Sequence, residues 1–242
     1  MERKKYFITT GLLILTLSVL SAQNFRQQIY NAYINGNMEQ WRRVLTQMER
    51  TNNSSNAFLL DKLNFQYGYI GWCVGTNRNS EAREWMAKME NLMDELDRRN
   101  VEPATILSYR AAMIGFRVGL NRLQAPFIGP RSIEFAQNAI KSDPNNPFGY
   151  LQYANILHFT PLFFGGSRDE AMRHYLLALS KMEPYKQGNW NYLSLLTAIA
   201  SAHHAAGNSV AALSYLEKAL EQEPNFQWVI KDLYPTFSKN LK

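Results

Sequence analysis

The clearest hydrophobic pattern runs from Leu193 to Pro224. Leu193, Leu196, Ile199 and Ala200 recur three and four residues apart, which places them on one face of a helix. Gly207-Asn208 then signals a turn, and Ala212, Leu216 and Ala219 mark a second helix that Pro224 ends. Small residues at Ala200, Ala212 and Ala219 sit where two packed helices must approach closely. Upstream the same alternation predicts paired helices over 24–50, 57–99, 103–143, 147–183 and 190–223, with a last amphipathic helix over 225–242. Trp41, Leu45 and Met48 stripe the first pair, Ala82, Met86 and Met89 the second, and Trp228, Val229, Leu233 and Phe237 the terminal helix. Asp143-Pro144-Asn145-Asn146-Pro147 stops one helix and opens the next. Pro126, Gly129 and Pro130 predict a helix-free connector from Gln124 to Arg131.

The spacing from Leu193 to Pro224 closely resembles the tetratricopeptide repeat, with His203 where that pattern usually has a tyrosine. The same signature is present in the fourth pair, at Tyr153-Ala154, Ala171, Tyr175, Ala178 and Pro184, and is weaker upstream. The resemblance implies an all-α, tetratricopeptide-like α-α superhelix of about five helical pairs plus a C-terminal capping helix, covering 23–242. Two departures qualify it. The small residues Gly68, Ala112, Ala154 and Ala200 recur at intervals longer than the ~34 residues of a plain repeat. The turn from Thr160 to Ser167 is also longer than the pattern implies by roughly five residues. Its Pro161-Leu162-Phe163-Phe164-Gly165-Gly166 run resembles a turn in a group of exported bacterial repeat proteins. Phe163 and Phe164 are expected to tuck back between helices while the glycines supply positive φ; the other reading is an exposed contact loop.

The N-terminus reads differently. Arg3, Lys4 and Lys5 precede an apolar run from Phe7 to Leu20, and Ser21-Ala22 closes it before Gln23. This predicts a secretory signal peptide over 1–22, with a retained anchor helix as the alternative. The single cysteine, Cys73, excludes an intrachain disulfide, and no cysteine follows the apolar run to carry a lipid. A periplasmic or secreted protein is expected, without a stable membrane span once the leader is removed. Net charge is +6 at pH 7. Arg42-Arg43 and Arg98-Arg99 lie among acidic residues rather than in a basic stripe, so nucleic acid is not an expected partner.

Catalytic signatures are missing from the sequence: it has no Gly-rich phosphate loop, no nucleophile elbow and no His-Glu-x-x-His run. Adjacent His203 and His204 diverge by about 100° on a helix and cannot grip one metal together. His158 and His204 occupy equivalent repeat positions but lack an accompanying carboxylate cluster. No enzyme activity, cofactor or metal is therefore expected.

In tetratricopeptide families the ninth and twelfth positions of each first helix line a concave groove. Carried over repeat by repeat, that implies Tyr30 and Tyr33, Tyr69 and Trp72, Met113 and Phe116, Asn155 and His158, and Ser201 and His204. Neighbouring positions add Tyr109, Arg117 and Phe159. Rings and methionines at such places either recognise a partner or pack against the array itself, and a frame error of one residue turns each by about 100°. The expected function is a non-catalytic exported scaffold or adaptor that holds a protein or peptide partner in this groove. The alternatives are a small-ligand or glycan-binding accessory protein using the aromatic groove, and a non-catalytic subunit of an envelope enzyme complex.

Overall fold

A computed structural model describes residues 24–239, which are all-helical with no strand among them. The leader expected over 1–22 lies outside the described residues. The helices are α1 (24–34), α2 (Met38–Arg50), α3 (Asn56–Gly75), α4 (Asn79–Arg98), α5 (Pro103–Leu120), α6 (Ala125–Ser142), α7 (Pro147–Phe159), α8 (Arg168–Met182), α9 (Trp190–Ala205), α10 (Ser209–Gln222) and α11 (Tyr234–Ser238). Each odd-numbered helix from α3 to α9 packs antiparallel on the next, and α5 packs on both α3 and α7, so the pairs stack as an α-α superhelix. Small side chains set the approach within pairs: Ala82, Ala136, Ala139, Ala171, Ala178, Ala212 and Ala219 are all buried. A widened π-helical turn over Val229–Leu233 precedes Pro235, which cannot donate to the carbonyl four residues back.

Local chemistry begins and ends these helices. The side chains of Asn37, Ser55, Asn146, Ser167 and Asn208 accept from backbone N–H groups in the first turns of α2, α3, α7, α8 and α10. Gly36 and Gly207 hold the positive φ of the turns inside the first and last pairs.

One expected break is a helix. The segment predicted as a connector, 124–131, lies almost wholly in α6, which runs through Pro130. Pro126 stands in the first turn, where its missing N–H has no intrahelical partner to lose. Pro130 forfeits only the bond to the carbonyl of Pro126, and both prolines are exposed, where solvent can serve an acceptor the helix leaves unpaired. The turn between α5 and α6 shrinks to Asn121–Gln124, and Ser132 of α6 donates to the Ala111 carbonyl at 2.9 Å.

The superhelix also closes on itself. Trp190, the first residue of α9, crosses to the N-terminal pairs and lies edge-on to Trp41 with ring centroids 5.0 Å apart. It meets Tyr33 at 5.7 Å and donates its indole N–H to Asn64 Oδ1 at 2.9 Å. Gly68 makes room for it: a Cβ there would stand 2.6 Å from Trp190 and 2.7 Å from Trp41. Phe226, just after α10, adds a ring 5.1 Å from Tyr33. The concave side of the first two pairs is therefore filled by the chain's own C-terminal part.

Candidate functional site

The inside of the superhelix is lined by the odd-numbered helices. On α3 the inward residues are Asn64, Tyr67 and Gly71. Tyr67 has its ring 5.3 Å from Tyr109 and 5.7 Å from Phe116, and Gly71 lies beneath Phe116. Asn64 donates to Tyr109 Oη at 2.6 Å and pairs with the Asn191 amide, while Gln152 of α7 donates to Tyr67 Oη at 3.1 Å. This network ties α3, α5, α7 and α9 together through polar groups that burial would otherwise penalise.

Tyr69 and Trp72 take the other side of α3. The Tyr69 hydroxyl donates to the Glu81 carboxylate at 2.7 Å, and its ring stands 5.9 Å from Trp85, both on α4. Trp72 is half-buried under the Arg78 guanidinium, 4.7 Å from its ring centroid. The small residue that sets the second pair's frame is Ala82, facing α4's partner; Gly68 instead serves the tryptophan contact. Anchoring on Gly68 shifts the frame by two residues, about 200° of helix rotation, and so exchanges groove for pair interface. Anchoring on Ala82 would have pointed to Asn64, Tyr67 and Gly71, which the sequence reading missed.

Elsewhere the implied positions divide by accessibility. Tyr30, Tyr109 and Met113 are buried with Tyr69, and they present no face to a partner. Tyr30 donates to Glu223 at 3.1 Å, and burial raises the Tyr33 hydroxyl to about 12. His204 is half-buried with its ring stacked on Phe237, centroids 4.0 Å apart. Asn155 accepts from the Tyr175 hydroxyl at 2.8 Å, and Arg117 pairs with Glu90 of α4. Tyr33, Trp72 and His204 are half-buried, as are Phe116, Asn155 and His158 towards the C-terminal ends of α5 and α7, where Arg117 is exposed beside Glu90 and Phe159 is 78% exposed.

Solved structures set this geometry in context. The structure aligns with a thermophilic tetratricopeptide-repeat protein of Thermus thermophilus at a TM-score of 0.54 and 19% identity, covering 91% of this chain and 98% of that one. The fold is tetratricopeptide-like. It also aligns with the HusA haemophore from Porphyromonas gingivalis at a TM-score of 0.61 and 16% identity, covering 74% of this chain and 92% of that one. At such identities the likeness concerns the fold alone. No family model and no curated relative matches the sequence.

The long turn of this tetratricopeptide-like array departs from expectation. Phe163 and Phe164 do not tuck between helices: Phe163 is 92% exposed, and the two rings pack edge-on against each other at 5.3 Å. The turn closes on its own backbone, with the N–H groups of Phe164 and Gly166 both donating to the Pro161 carbonyl. Gly166 lies directly against the Thr160 carbonyl, leaving no room for a Cβ there. Gly165 does carry positive φ, at +90°.

Among the described residues no three His, Cys, Asp or Glu side chains gather to hold a metal ion. Cys73 is buried, and burial pushes its thiol up to about 12, so it is no nucleophile at neutral pH. Burial lowers His158, His174 and His203 below the usual 6.5, with Arg168 adding to the effect at His158. The unfolded chain therefore takes up protons as pH falls through 6.5 while these folded imidazoles resist it. Stability present in full above that value is lost between it and the lower folded values. Thermal unfolding followed from about pH 8 downward should show a flat Tm, then a decline beginning near pH 6.5. A Tm that holds until carboxylates protonate, near pH 4.5, would contradict this.

Proposed function

We propose that the chain is a non-catalytic, exported scaffold that binds a protein or peptide partner on the strip formed by Phe116, Arg117, Asn155, His158 and Phe159. The observation that carries the reading is the contrast along the concave side. The first two pairs are filled by Trp190 and Phe226, whereas on α7 Phe159 stands exposed with its ring 4.8 Å from half-buried His158, and Phe116 and Asn155 are half-buried. An aromatic anchor beside an amide, an imidazole and a guanidinium suits recognition of a polypeptide, where aromatic and arginine side chains dominate binding. The imidazole, kept neutral by burial, adds hydrogen bonding without charge at pH 7. Export rests on the basic and apolar leader pattern of Arg3 to Ala22.

The test is quantitative affinity capture from the cell envelope with wild type and with the double variant Phe159→Ala/His158→Ala. One stoichiometric partner should be recovered by wild type and reduced at least tenfold by the variant, at unchanged Tm. Equal recovery by both proteins would sink the reading. The small-ligand alternative draws support from the likeness to a haemophore. A titration with haem separates the two: saturable binding with no captured partner would replace the scaffold proposal.

A further inference from the structure

The connectors of the superhelix fall on two edges. Antiparallel pairing puts every turn within a pair on one edge and every connection between pairs on the other. The two edges differ in charge. Within-pair turns, at 35–37, 76–78, 121–124, 160–167 and 206–208, contain no carboxylate. The connection at 51–55 has none either, but those after α4, α6 and α8 carry Glu102, Asp143 and Glu183, and Glu223 follows α10.

The turns without acid are also the apolar ones, while Glu39, Glu81, Asp169 and Glu170 stand in the first turns of the helices that follow three of them. At the turn from α5 to α6, Leu123 is 82% and Phe127 84% exposed. At the neighbouring turn from α7 to α8, Leu162, Phe163 and Phe164 are exposed too. Leu123 stands in its turn, Phe127 in the first turn of α6 and the other three in the second turn; α7 packs on both α5 and α6, so the two turns belong to neighbouring pairs. The tip of the second turn is preformed, held by the Pro161 carbonyl and by the Ser167 N–H donating to Leu157 at 3.1 Å. Arg122, Arg131 and Arg168 flank the phenylalanines and have no carboxylate partner within ion-pair distance among the described residues. Arg131 rests 5.1 Å from the Phe135 ring and remains exposed. Asp169 and Glu170 lie in the first turn of α8, where the helix dipole offsets them, and Glu170 pairs with Arg173; Glu134 follows Arg131 by one turn of α6 without an ion pair to it.

We propose that this edge docks the protein on an anionic lipid bilayer, with Phe127 and Phe163 entering the headgroup–acyl boundary and Arg122, Arg131 and Arg168 meeting lipid phosphates. Adjacent protruding rings ringed by unpaired cations match a flat anionic interface, since apolar insertion and charge attraction act together there. No described helix is long and apolar enough to cross a membrane, and the proposed contact is made by this edge alone. Its strength depends on lipid charge and on ionic strength.

Cosedimentation with vesicles of phosphatidylcholine alone, or mixed with phosphatidylglycerol, tests this in the full chain. Wild type should bind the mixed vesicles at least tenfold more tightly, and added salt should weaken that preference. Phe127→Ser/Phe163→Ser should lose about tenfold on the mixed vesicles, and Arg122→Glu/Arg168→Glu should lose the preference for anionic lipid. Both pairs are exposed, and an unchanged Tm confirms folding. The N-terminal apolar run contributes equally to every variant, so the differences report the edge. Phe163→Trp supplies a local reading as its difference from wild type, which carries five tryptophans of its own: the added emission should shift blue on phosphatidylglycerol vesicles and be quenched by brominated acyl chains. Equal binding by wild type and both variants, or no shift and no quenching at Trp in place of Phe163, overturns the proposal. A captured protein whose recovery depends on Phe163 without any vesicle binding also overturns it, and assigns the edge to that protein instead.

Discussion

Trp190→Ala should cost about 3–5 kcal/mol of unfolding free energy, the range for emptying a large aromatic site. The indole is 6% exposed and lies among Tyr33, Trp41 and Tyr67, so its removal leaves rings facing a void. Those rings sit on three different helices and cannot collapse together without moving whole repeats, which argues for the upper part of the range. Asn64 loses the indole donor as well, although the Asn191 amide still reaches its Oδ1 at 3.1 Å. Trp190→Phe keeps most of the buried area and should cost less, on the order of 1–2 kcal/mol for the lost hydrogen bond and partial filling. Against a typical total of about 5–15 kcal/mol, the alanine change is a large fraction.

The manner of unfolding should change too. A linear repeat array is held by nearest-neighbour contacts, and its ends can melt separately. Here Trp190 bonds a residue 126 positions away, bridging the second pair and the fifth. Removing that bridge should let α1 to α3 exchange their amide protons well before α9 and α10. Urea unfolding followed by circular dichroism gives the free energy, and hydrogen exchange gives its distribution. A loss below about 1 kcal/mol, or uniform exchange across the helices, would show that closure contributes little.

That bridge marks the boundary of what the sequence reveals. The repeat signature is local: Leu193 to Pro224 carries its own spacing, and an all-helical superhelix follows from it. Closure is not local. Nothing in the spacing around Trp190 says that it will lie against Trp41 and Tyr33, and a glycine at 68 reads equally as a pair contact or as room for a distant ring. The frame error on α3 has this origin. Two small residues, Gly68 and Ala82, compete to set the register, and only the position of α4 decides between them. The exposed tips were visible as Phe163-Phe164 beside Gly165-Gly166, but their direction depends on backbone bonds to Pro161 that composition does not encode. Pro130 misled for a related reason, since a proline that loses one solvent-facing bond reads in sequence like one that breaks a helix.

Gly166→Ala should disrupt the turn that presents those tips. An added Cβ would lie 1.8 Å from the Thr160 carbonyl oxygen, 2.7 Å from its carbon and 3.1 Å from the Pro161 oxygen. All three atoms are backbone, so no side-chain rotation relieves the clash and the turn itself must open. Opening strains the bond from the Gly166 N–H to Pro161 and the one from Ser167 to Leu157, each 3.1 Å long. It also moves the Ser167 hydroxyl that accepts from the Glu170 N–H at 3.2 Å and starts α8, a cap worth about 1 kcal/mol. With roughly 1 kcal/mol for each backbone bond, the expected loss is about 2–4 kcal/mol. Gly129→Ala is the counterpart, because that glycine lies inside α6 with open space where a Cβ would go. Ordinary helix propensity should make it neutral or stabilising by up to about 1 kcal/mol. Thermal unfolding of the two variants beside wild type therefore separates close approach from glycine content, and a Tm for Gly166→Ala equal to wild type would refute the packing of this turn. Hydrogen exchange adds the location: the first-turn amides of α8 should lose protection in Gly166→Ala while those of α10, capped independently by Asn208, keep theirs.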